Sequence, residues 1–295
     1  MNEDAARPDG GSVPRENLGK EMAGVVDDVV DRALAEDVGS GDITTEASVG
    51  PDTQATARII QKQPGVLFGM DCARTAFARL DPDLVFTAVA AEGIWRDGGE
   101  VAVITGSARA ILTAERTALN LLGGLSGTAT LAARYVQAVE GTGAKILDTR
   151  KTVPGMRLLQ KAAVAAGGAN NHRVGLYDAF LLKENHIAMA GGITAAVEGC
   201  RRINPRLPIE VECQTTSEVV EALKADVERL LLDNMDSGQL ITAVGIVGNR
   251  AETEASGGVN LESVRTIAET GVDWISVGAL THSAPTLDLS LLIDG

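Results

Sequence analysis

Residues 209–233, IEVECQTTSEVVEALKADVERLLLD, decide the fold class of this chain. Two short apolar runs, 209–212 and 229–233, enclose a segment of helical length, and each run ends at an acidic residue, Glu212 or Asp233. A strand followed by a helix and a second strand is the unit from which parallel sheets are built. The stretch therefore predicts a βαβ unit with two parallel strands.

Similar short apolar runs recur along the second half of the chain, at 145–148, 179–183, 252–256 and 274–278. Repeated β–α units predict an α/β fold with a parallel sheet, most simply an incomplete barrel, because six units are fewer than the eight of a full barrel. A doubly wound open sheet is the alternative. In both folds the carboxyl ends of the strands line one ligand crevice. The residues at those ends are Asp148, Lys183, Glu212, Asp233 and Ser256.

The chain before residue 145 has a different pattern. The apolar residues within 22–34 are spaced so that they fall on one face of a helix, which predicts a helix there. Short strands of a small sheet are predicted at 55–61, 65–68, 84–90 and 101–106. The acidic, glycine-containing loop at 36–42 favours a structural connection. Residues 112–139 are helical in composition but carry Gly123, Gly124 and Gly127. These glycines predict two helices joined by a turn, and a domain boundary there.

Composition excludes several classes of function. The formal net charge of −14 argues against broad binding to nucleic acid or to an anionic membrane. Three cysteines without metal-type spacing predict buried thiols and neither a disulfide framework nor a zinc site. The first twenty residues are polar and predict a flexible arm without a signal-peptide core. No run reaches the roughly 18 apolar residues of a membrane span, so we expect a cytoplasmic protein.

A basic stretch stands out in this acidic chain. Between residues 145 and 183 there are seven Lys or Arg against two acids, Asp148 and Asp178. A solvated basic face is one interpretation. However, Arg150 and Lys151 directly follow a predicted strand, which favours a local anion site. Arginine pairs bidentately with carboxylates, whereas lysine is a point charge suited to phosphate oxygens.

Acids and glycines at other strand ends extend the predicted site. Glu212 and Asp233 could accept hydrogen bonds from ribose hydroxyls and hold hydrated magnesium, or could simply cap the following helices. Late glycine-bearing strand ends expose backbone N–H groups, and in barrels such loops recurrently hold phosphate. They contain Ser256, Gly257, Gly258 and Gly278.

Specific motifs now add a resemblance. The run DTRKTVPG at 148–155, the segment Asn171-His172-Arg173 and the run KENH at 183–186 resemble the signature of the quinolinate phosphoribosyltransferases. The resemblance continues through ERTALN at 115–120 and SVGALT at 276–281, and it covers nearly the whole chain after the arm. It implies an enzyme that joins quinolinate to the ribose of phosphoribosyl pyrophosphate. The products would be nicotinate mononucleotide, pyrophosphate and carbon dioxide, on the route to NAD.

The resemblance also implies an architecture. After the arm over 1–20, which composition predicts and which has no counterpart in the family, it would be an α/β sandwich domain over 21–128 and an incomplete, TIM-like α/β barrel over 129–283, with 284–295 packing back on the sandwich. A homodimer or higher oligomer would share its active sites between subunits.

Roles for individual residues follow from the resemblance alone. Residues for quinolinate would be Arg116, supplied by the neighbouring subunit, and Arg150, His172, Arg173 and Lys183. Residues for phosphoribosyl pyrophosphate would be Lys151, Lys183, Glu212, Asp233, Ser256, Gly257, Gly258 and Gly278. Lys151, Glu212 and Asp233 would be catalytic, and Glu212 and Asp233 would hold Mg²⁺, directly or through water.

Three rival functions stay open at this stage. A Schiff-base aldolase would use Lys183 as its nucleophile but would leave the arginines unexplained. A non-catalytic sensor would bind phosphoribosyl pyrophosphate without turnover. A related phosphoribosyltransferase would act on another pyridine or on a metal-linked substrate.

Overall fold

The computed structural model describes residues 15–294. The predicted arm therefore lies outside the described residues as far as residue 14. The first helix begins at Arg15 and ends at Val38. Residues 15–20 of the predicted arm form the first turns of this helix.

The first half of the chain builds a small antiparallel sheet covered by helices. Its elements are α1 (Arg15–Val38), α2 (Ile43–Ser48), β1 (Gln54–Gln61), β2 (Gly65–Val66), α3 (Met70–Leu80), β3 (Val85–Ala88), β4 (Trp95–Arg96), β5 (Gly99–Ser107) and α4 (Ala108–Ala138). Asp42 accepts hydrogen bonds from the Thr45 N–H at 3.0 Å and the Thr113 hydroxyl at 3.1 Å. The loop before α2 is thus the structural connection that the sequence favours.

Alternation along β1 produces the first core. Ala57 and Ile59 are fully buried, whereas Arg58 between them is exposed, as expected for a sheet with one covered face. Phe77 of α3 and Leu122 of α4 pack into the same cluster. The sheet order is β12-β1-β5-β3, where β12 (Leu289–Ile293) returns from the end of the chain to pair with β1.

Helix α4 is a single helix of 31 residues, so the predicted break at its glycines is wrong. A Cβ at Gly127 would lie 2.0 Å from the Pro285 carbonyl oxygen, and one at Gly123 would lie 3.0 Å from that of Leu287. These two glycines therefore admit the backbone of the segment before β12 and do not end the helix. The helix serves both halves of the chain, because Leu122 belongs to the first core and Tyr135 to the second.

The second half forms a parallel sheet with helices between its strands. Its elements are β6 (Lys145–Leu147), α5 (Arg157–Ala166), β7 (Phe180–Leu182), α6 (Glu184–Ala190), α7 (Ile193–Ile203), β8 (Ile209–Cys213), α8 (Thr216–Lys224), β9 (Arg229–Asp233), α9 (Ser237–Val247), β10 (Glu252–Ser256), α10 (Val264–Ala268), β11 (Trp274–Ser276) and α11 (Ala279–His282). All five pairings between these strands are parallel.

Strand order decides between the two predicted folds. The order is β6-β11-β10-β9-β8-β7, so the first strand lies beside the last and the others follow in sequence. A doubly wound sheet would reverse direction at a switch point, and no reversal occurs here. Within residues 15–294, β6 and β7 are not paired, and the structure is therefore the incomplete barrel expected from the sequence.

Two expectations from composition can be compared with the fold. Cys72, Cys200 and Cys213 are buried free thiols, as predicted. Among the described helices, none is long and apolar enough to cross a bilayer.

Candidate functional site

A cavity of about 620 Å³ lies at the carboxyl ends of the barrel strands. It brings together most of the residues that the sequence singled out: Arg150, Lys151, His172, Arg173, Lys183, Glu212, Asp233, Ser256, Gly257 and Gly258. Two predicted residues, Arg116 and Gly278, do not line it. The barrel therefore converts residues spread over more than a hundred positions into one pocket.

The acidic side of the cavity comes from neighbouring strands. Glu212 lies near the end of β8, and its Oε2 is 3.3 Å from Nζ of Lys183, which follows β7. Asp233 ends β9 and accepts a hydrogen bond of 2.7 Å from the side-chain amide of Asn234. Two carboxylates and an ammonium thus lie on one side of the pocket.

A tight turn after β10 forms the glycine-bearing wall. Gly257 and Gly258 have φ angles of 102° and 61°, which only glycine adopts readily. A Cβ on Gly257 would lie 2.2 Å from Oδ1 of Asn234. Because neither glycine carries a side chain and both are exposed, the backbone of this turn is open to a ligand.

Gly278 supports the site from behind. A Cβ at this position would lie 3.1 Å from Cδ of Lys151, and the Thr281 hydroxyl donates a 2.7 Å hydrogen bond to the Lys151 carbonyl. The start of α11 therefore packs against the stem of Lys151. Gly278 contacts the lysine and not the cavity itself.

The cationic side contains two arginines without acidic partners. Neither Arg150 nor Arg173 forms an ion pair within the described chain, and the buried Nε of Arg150 has no hydrogen-bond partner there. Burial, and next the neighbouring charge of Arg150, lower the pKa of Arg173. This side of the pocket therefore has positive charge that a bound anion would compensate.

Asp148 and Lys161 occupy a different place from the one that the sequence suggested. Both side chains are almost fully buried and form an ion pair of 2.5 Å beneath the cavity. Burial raises the pKa of Asp148 and lowers that of Lys161, so the charged pair depends on its polar contacts. The expectation that Asp148 lines the pocket is wrong, and Lys161 is not part of the open basic face.

Two buried acids, which the sequence analysis missed, lie in the barrel interior. Glu210 and Glu254 are 6% and 0% exposed, and Glu254 lies against the Ser276 hydroxyl. Burial, and next the charge of Glu210, raise the pKa of Glu254 to about 8. Glu210 lies two positions before Glu212 and therefore on the same face of β8. That alternation was the available signal for an inward-facing acid.

His172 connects these acids to the pocket. Its Nε2 lies 3.0 Å from Oε2 of Glu210 and 3.6 Å from Oε2 of Glu254, while its Nδ1 accepts a hydrogen bond of 2.7 Å from the Arg173 backbone N–H. A nitrogen that accepts carries no proton, so the proton of the neutral ring is on Nε2. Burial lowers the pKa of His172, which favours this neutral form.

The same geometry bears on metal binding. One ligand atom from each of His172, Glu210 and Glu254 lies within 4.8 Å of the others. A metal on Nε2 would require that nitrogen to be unprotonated while Nδ1 also accepts, which an ordinary imidazole does not allow. The cluster is therefore a hydrogen-bonded group of the barrel interior.

A second cavity, of about 600 Å³, lies at the opposite ends of the strands. It is lined by the first residues of four strands: Phe180, Ile209, Arg229 and Glu252. His172 and Arg173 line both cavities and therefore stand between them.

Arg116 lies apart from the cavity. It is exposed on α4, and among the side chains described, those of residues 22–294, none forms an ion pair with it. Asn120, one turn later on the same helix, lines a smaller cavity of about 220 Å³ together with Val153 and His282. The chain's own pocket is thus formed without Arg116.

Comparisons with known proteins agree with this site. The family models described as the N-terminal and C-terminal domains of quinolinate phosphoribosyl transferase match residues 42–126 and 128–292. The probable nicotinate-nucleotide pyrophosphorylase (carboxylating) of Synechocystis sp. is 43% identical over 274 residues, which cover 91% of this chain and 92% of that protein. The corresponding Mycobacterium leprae protein is 43% identical over 271 residues, covering 90% of this chain and 95% of its own length.

A solved structure gives the same result. The nicotinate-nucleotide pyrophosphorylase of Francisella tularensis superposes with a TM-score of 0.90 at 38% identity, covering 98% of this chain and all of that one. That of Ehrlichia chaffeensis has a TM-score of 0.87 at 35% identity, with 90% and 98% covered. On the combined evidence of sequence, fold and pocket, this chain belongs to the quinolinate phosphoribosyltransferase family.

Proposed function

We propose that this protein transfers the phosphoribosyl group of phosphoribosyl pyrophosphate to the nitrogen of quinolinate, with loss of carbon dioxide. The products are nicotinate mononucleotide and pyrophosphate, in NAD biosynthesis. The observation that carries the proposal is the polarity of the cavity. One side holds the arginines Arg150 and Arg173 without carboxylate partners, and the other holds Glu212, Asp233 and an open glycine turn.

The arginine side suits the dicarboxylate. Quinolinate carries two carboxylates on adjacent ring carbons, and guanidinium groups bind carboxylates through paired hydrogen bonds. Binding would supply the partner that the Arg150 Nε lacks and would offset the repulsion between Arg150 and Arg173. His172 and Lys183 line the same cavity and complete the proposed quinolinate site.

The opposite side suits the sugar phosphate. The backbone of Ser256, Gly257 and Gly258 is open for the 5-phosphate, and Lys151 reaches the cavity as a point charge for pyrophosphate. Glu212 and Asp233 accept hydrogen bonds from ribose hydroxyls. Their charge also stabilises the positive character that C1 acquires as pyrophosphate leaves.

Magnesium is part of this proposal. Mg²⁺ is typically held by one or two carboxylates together with substrate phosphates and water, and Glu212 and Asp233 supply such a pair of oxygen ligands at the cavity. When bound, the ion offsets the charge of the pyrophosphate group. The residues themselves position the ribose for attack by the ring nitrogen.

Decarboxylation requires little from the protein. Once the ring nitrogen is bonded to ribose, the positively charged ring accepts the electron pair released when the 2-carboxylate leaves. The carbon that lost carbon dioxide then takes up a proton. Holding the carboxylate between Arg150 and Arg173 orients it for this step.

The rival functions fit the geometry less well. A Schiff-base lysine needs an uncharged, desolvated amine, whereas the Lys183 side chain is 55% exposed and ion-paired with Glu212. A sensor of phosphoribosyl pyrophosphate would not need two unpartnered arginines beside the phosphate wall. A related transferase for a monocarboxylate pyridine would leave one arginine unused.

A homodimer with shared sites is also proposed. Arg116 is exposed and outside its own chain's cavity, which supports a role in a neighbouring subunit's site. Large apolar side chains are exposed at Ile43, Leu176, Tyr177 and Met189, as is common for subunit contacts. The cytoplasmic location expected from the sequence stays a prediction.

A two-substrate assay tests the proposal directly. Purified protein with quinolinate, phosphoribosyl pyrophosphate and Mg²⁺ should release pyrophosphate and carbon dioxide in equal amounts. Nicotinate in place of quinolinate should give little pyrophosphate and no carbon dioxide. Binding of phosphoribosyl pyrophosphate without turnover would instead identify a sensor.

A further inference from the structure

A buried ion pair holds the backbone of His172 from both sides. Lys161 Nζ donates a hydrogen bond of 2.9 Å to the His172 carbonyl, and the His172 N–H donates one of 2.8 Å to Oδ1 of Asp148. The two charged groups are themselves 2.5 Å apart. Asn171 adds further links, because its amide donates to Oδ2 of Asp148 at 2.7 Å and to the Lys161 carbonyl at 2.9 Å.

Stability alone is a poor explanation for this arrangement. Buried ion pairs lose much of their attraction to desolvation, and apolar replacements of similar volume are often neutral or stabilising. Here nearly every polar contact of the pair goes either to its partner or to residues 171–172. The pair therefore specifies the position of that segment.

The held segment carries the quinolinate side of the cavity. With its backbone fixed, the His172 ring accepts from the Arg173 N–H and reaches Glu210 with Nε2. Arg173 follows directly, and its Nη1 donates to the Ala179 carbonyl at 3.1 Å. Apart from Lys151, which follows β6, the phosphate side is built on β8, β9 and the turn after β10.

We infer that Asp148 and Lys161 are positioning residues for quinolinate, which hold His172 and Arg173 in the geometry that binds its carboxylates. This inference rests on the proposed function. Its distinctive consequence is selectivity, since loss of the pair should disturb one substrate's site and leave the other's intact. A purely structural role would affect both sites or only the melting temperature.

The main variant replaces the pair by apolar side chains, Lys161→Met with Asp148→Leu. This double change removes the hydrogen bonds to His172 without leaving an unpaired buried charge. We expect both the KM for quinolinate and its Kd, measured by calorimetry, to rise at least about tenfold. The reason is that several hydrogen bonds that fix the site are lost. The KM for phosphoribosyl pyrophosphate should stay within about twofold.

A matched control comes from the same helix. Leu159 is 2% exposed and packs into the first core, on the other side of α5 from the pocket. Leu159→Ala should lower the melting temperature without changing the KM for quinolinate. If the apolar pair left both KM values at wild-type levels, or raised both together, the positioning role would be wrong.

Asn171→Ala keeps the inference testable if the double variant does not fold. Asn171 is exposed, so its truncation should be tolerated, and it removes only the side-chain links to the pair. We expect a rise of about threefold in the KM for quinolinate alone. An unchanged KM would overturn the inference. Wild-type turnover of quinolinate is measured first, so that failure of the proposed function is recognised separately.

Discussion

Oε2 of Glu210 lies 3.0 Å from Nε2 of His172, so a buried carboxyl in the barrel interior meets a ring that also lines the substrate cavity. Oε2 of Glu254 lies 3.6 Å from the same nitrogen. Burial, and next the neighbouring charge of Glu210, disfavour ionisation of Glu254 and raise its pKa to about 8.

The first prediction concerns the pH dependence of stability. The folded pKa of Glu254, about 8, is raised above the ordinary value of 4.5, so the folded state keeps a proton that the unfolded chain releases. This group's contribution to stability is therefore fully present below pH 4.5 and is lost as the pH rises to about 8. Glu254→Gln mimics the protonated form and should escape this loss.

Thermal unfolding of both proteins across that range provides the measurement. The melting temperature of Glu254→Gln relative to wild type should increase steadily between about pH 5 and pH 8, an interval that lies between the unfolded pKa of 4.5 and the folded pKa of about 8. Glu262→Gln, at an exposed position, is the control and should show no such trend. A constant difference between Glu254→Gln and wild type would mean that Glu254 is ionised throughout.

Arg150 and Arg173 should make the enzyme select quinolinate over nicotinate. A hydrogen bond to a charged group contributes roughly 1.5–3 kcal/mol, so Arg173→Ala should lower kcat/KM for quinolinate at least about tenfold. Lysine at position 150 or 173 should rescue only partly, because it cannot bind a carboxylate bidentately. Equal use of nicotinate and quinolinate by the wild type would contradict the assignment of these arginines.

Two glycines of α4 should respond in opposite ways to alanine. Gly127→Ala would place a Cβ 2.0 Å from the Pro285 carbonyl oxygen, whereas nothing lies within 4 Å of a Cβ at Gly124. The first change should cost at least about 1–3 kcal/mol of unfolding free energy through overpacking. Gly124→Ala should stabilise by up to roughly 1 kcal/mol through helix propensity. Urea unfolding of both variants decides the matter, and equal effects would refute the close contact.

Subunit sharing of the site predicts complementation between inactive variants. If Arg116 completes the neighbour's site while Lys151 serves its own, Arg116→Ala and Lys151→Ala should each be nearly inactive as homodimers. A mixed dimer has both lesions in one site and an intact second site. Random equal mixing makes about half the dimers mixed, so about a quarter of wild-type activity should return.

Co-expression with two different tags makes this experiment practicable, because a tight dimer exchanges slowly. The mixed dimers are isolated through both tags before assay and should then show about half of wild-type activity, because one of their two sites is intact. No recovery in confirmed mixed dimers would place Arg116 in its own subunit's site or outside catalysis altogether.

The barrel and most of its pocket were predictable from the sequence. Apolar runs that end at Lys183, Glu212, Asp233 and Ser256 identify strand ends, and parallel strands bring those ends to one edge. Asp148 follows the same pattern, yet it faces a buried lysine and not the mouth. Sequence pattern marks the end of a strand, but only tertiary packing decides where the side chain there finds a partner.

The other differences between the predicted and the observed structure also arise from tertiary packing. From sequence alone, acids within strands, such as Glu210 and Glu254, are expected to face solvent. Their burial requires polar partners in the barrel interior, and the local sequence does not indicate these partners. The glycines of α4 predicted a helix break. The segment that requires their small size, residues 285–287, comes far later in the chain, so the local sequence does not indicate the contact. Local propensity was overruled in both places by contacts between distant parts of the chain.

The pairing of β1 with β12 has a consequence for biosynthesis. Arg58 and Asp294, which bond across these strands, are 236 residues apart, so one edge of the first sheet has no partner while the intervening chain is being translated. An unpaired strand edge can recruit other nascent chains, and contacts of such high sequence separation form slowly. The barrel strands are thus translated before β12, and the edge of β1 that β12 covers stays open during that interval.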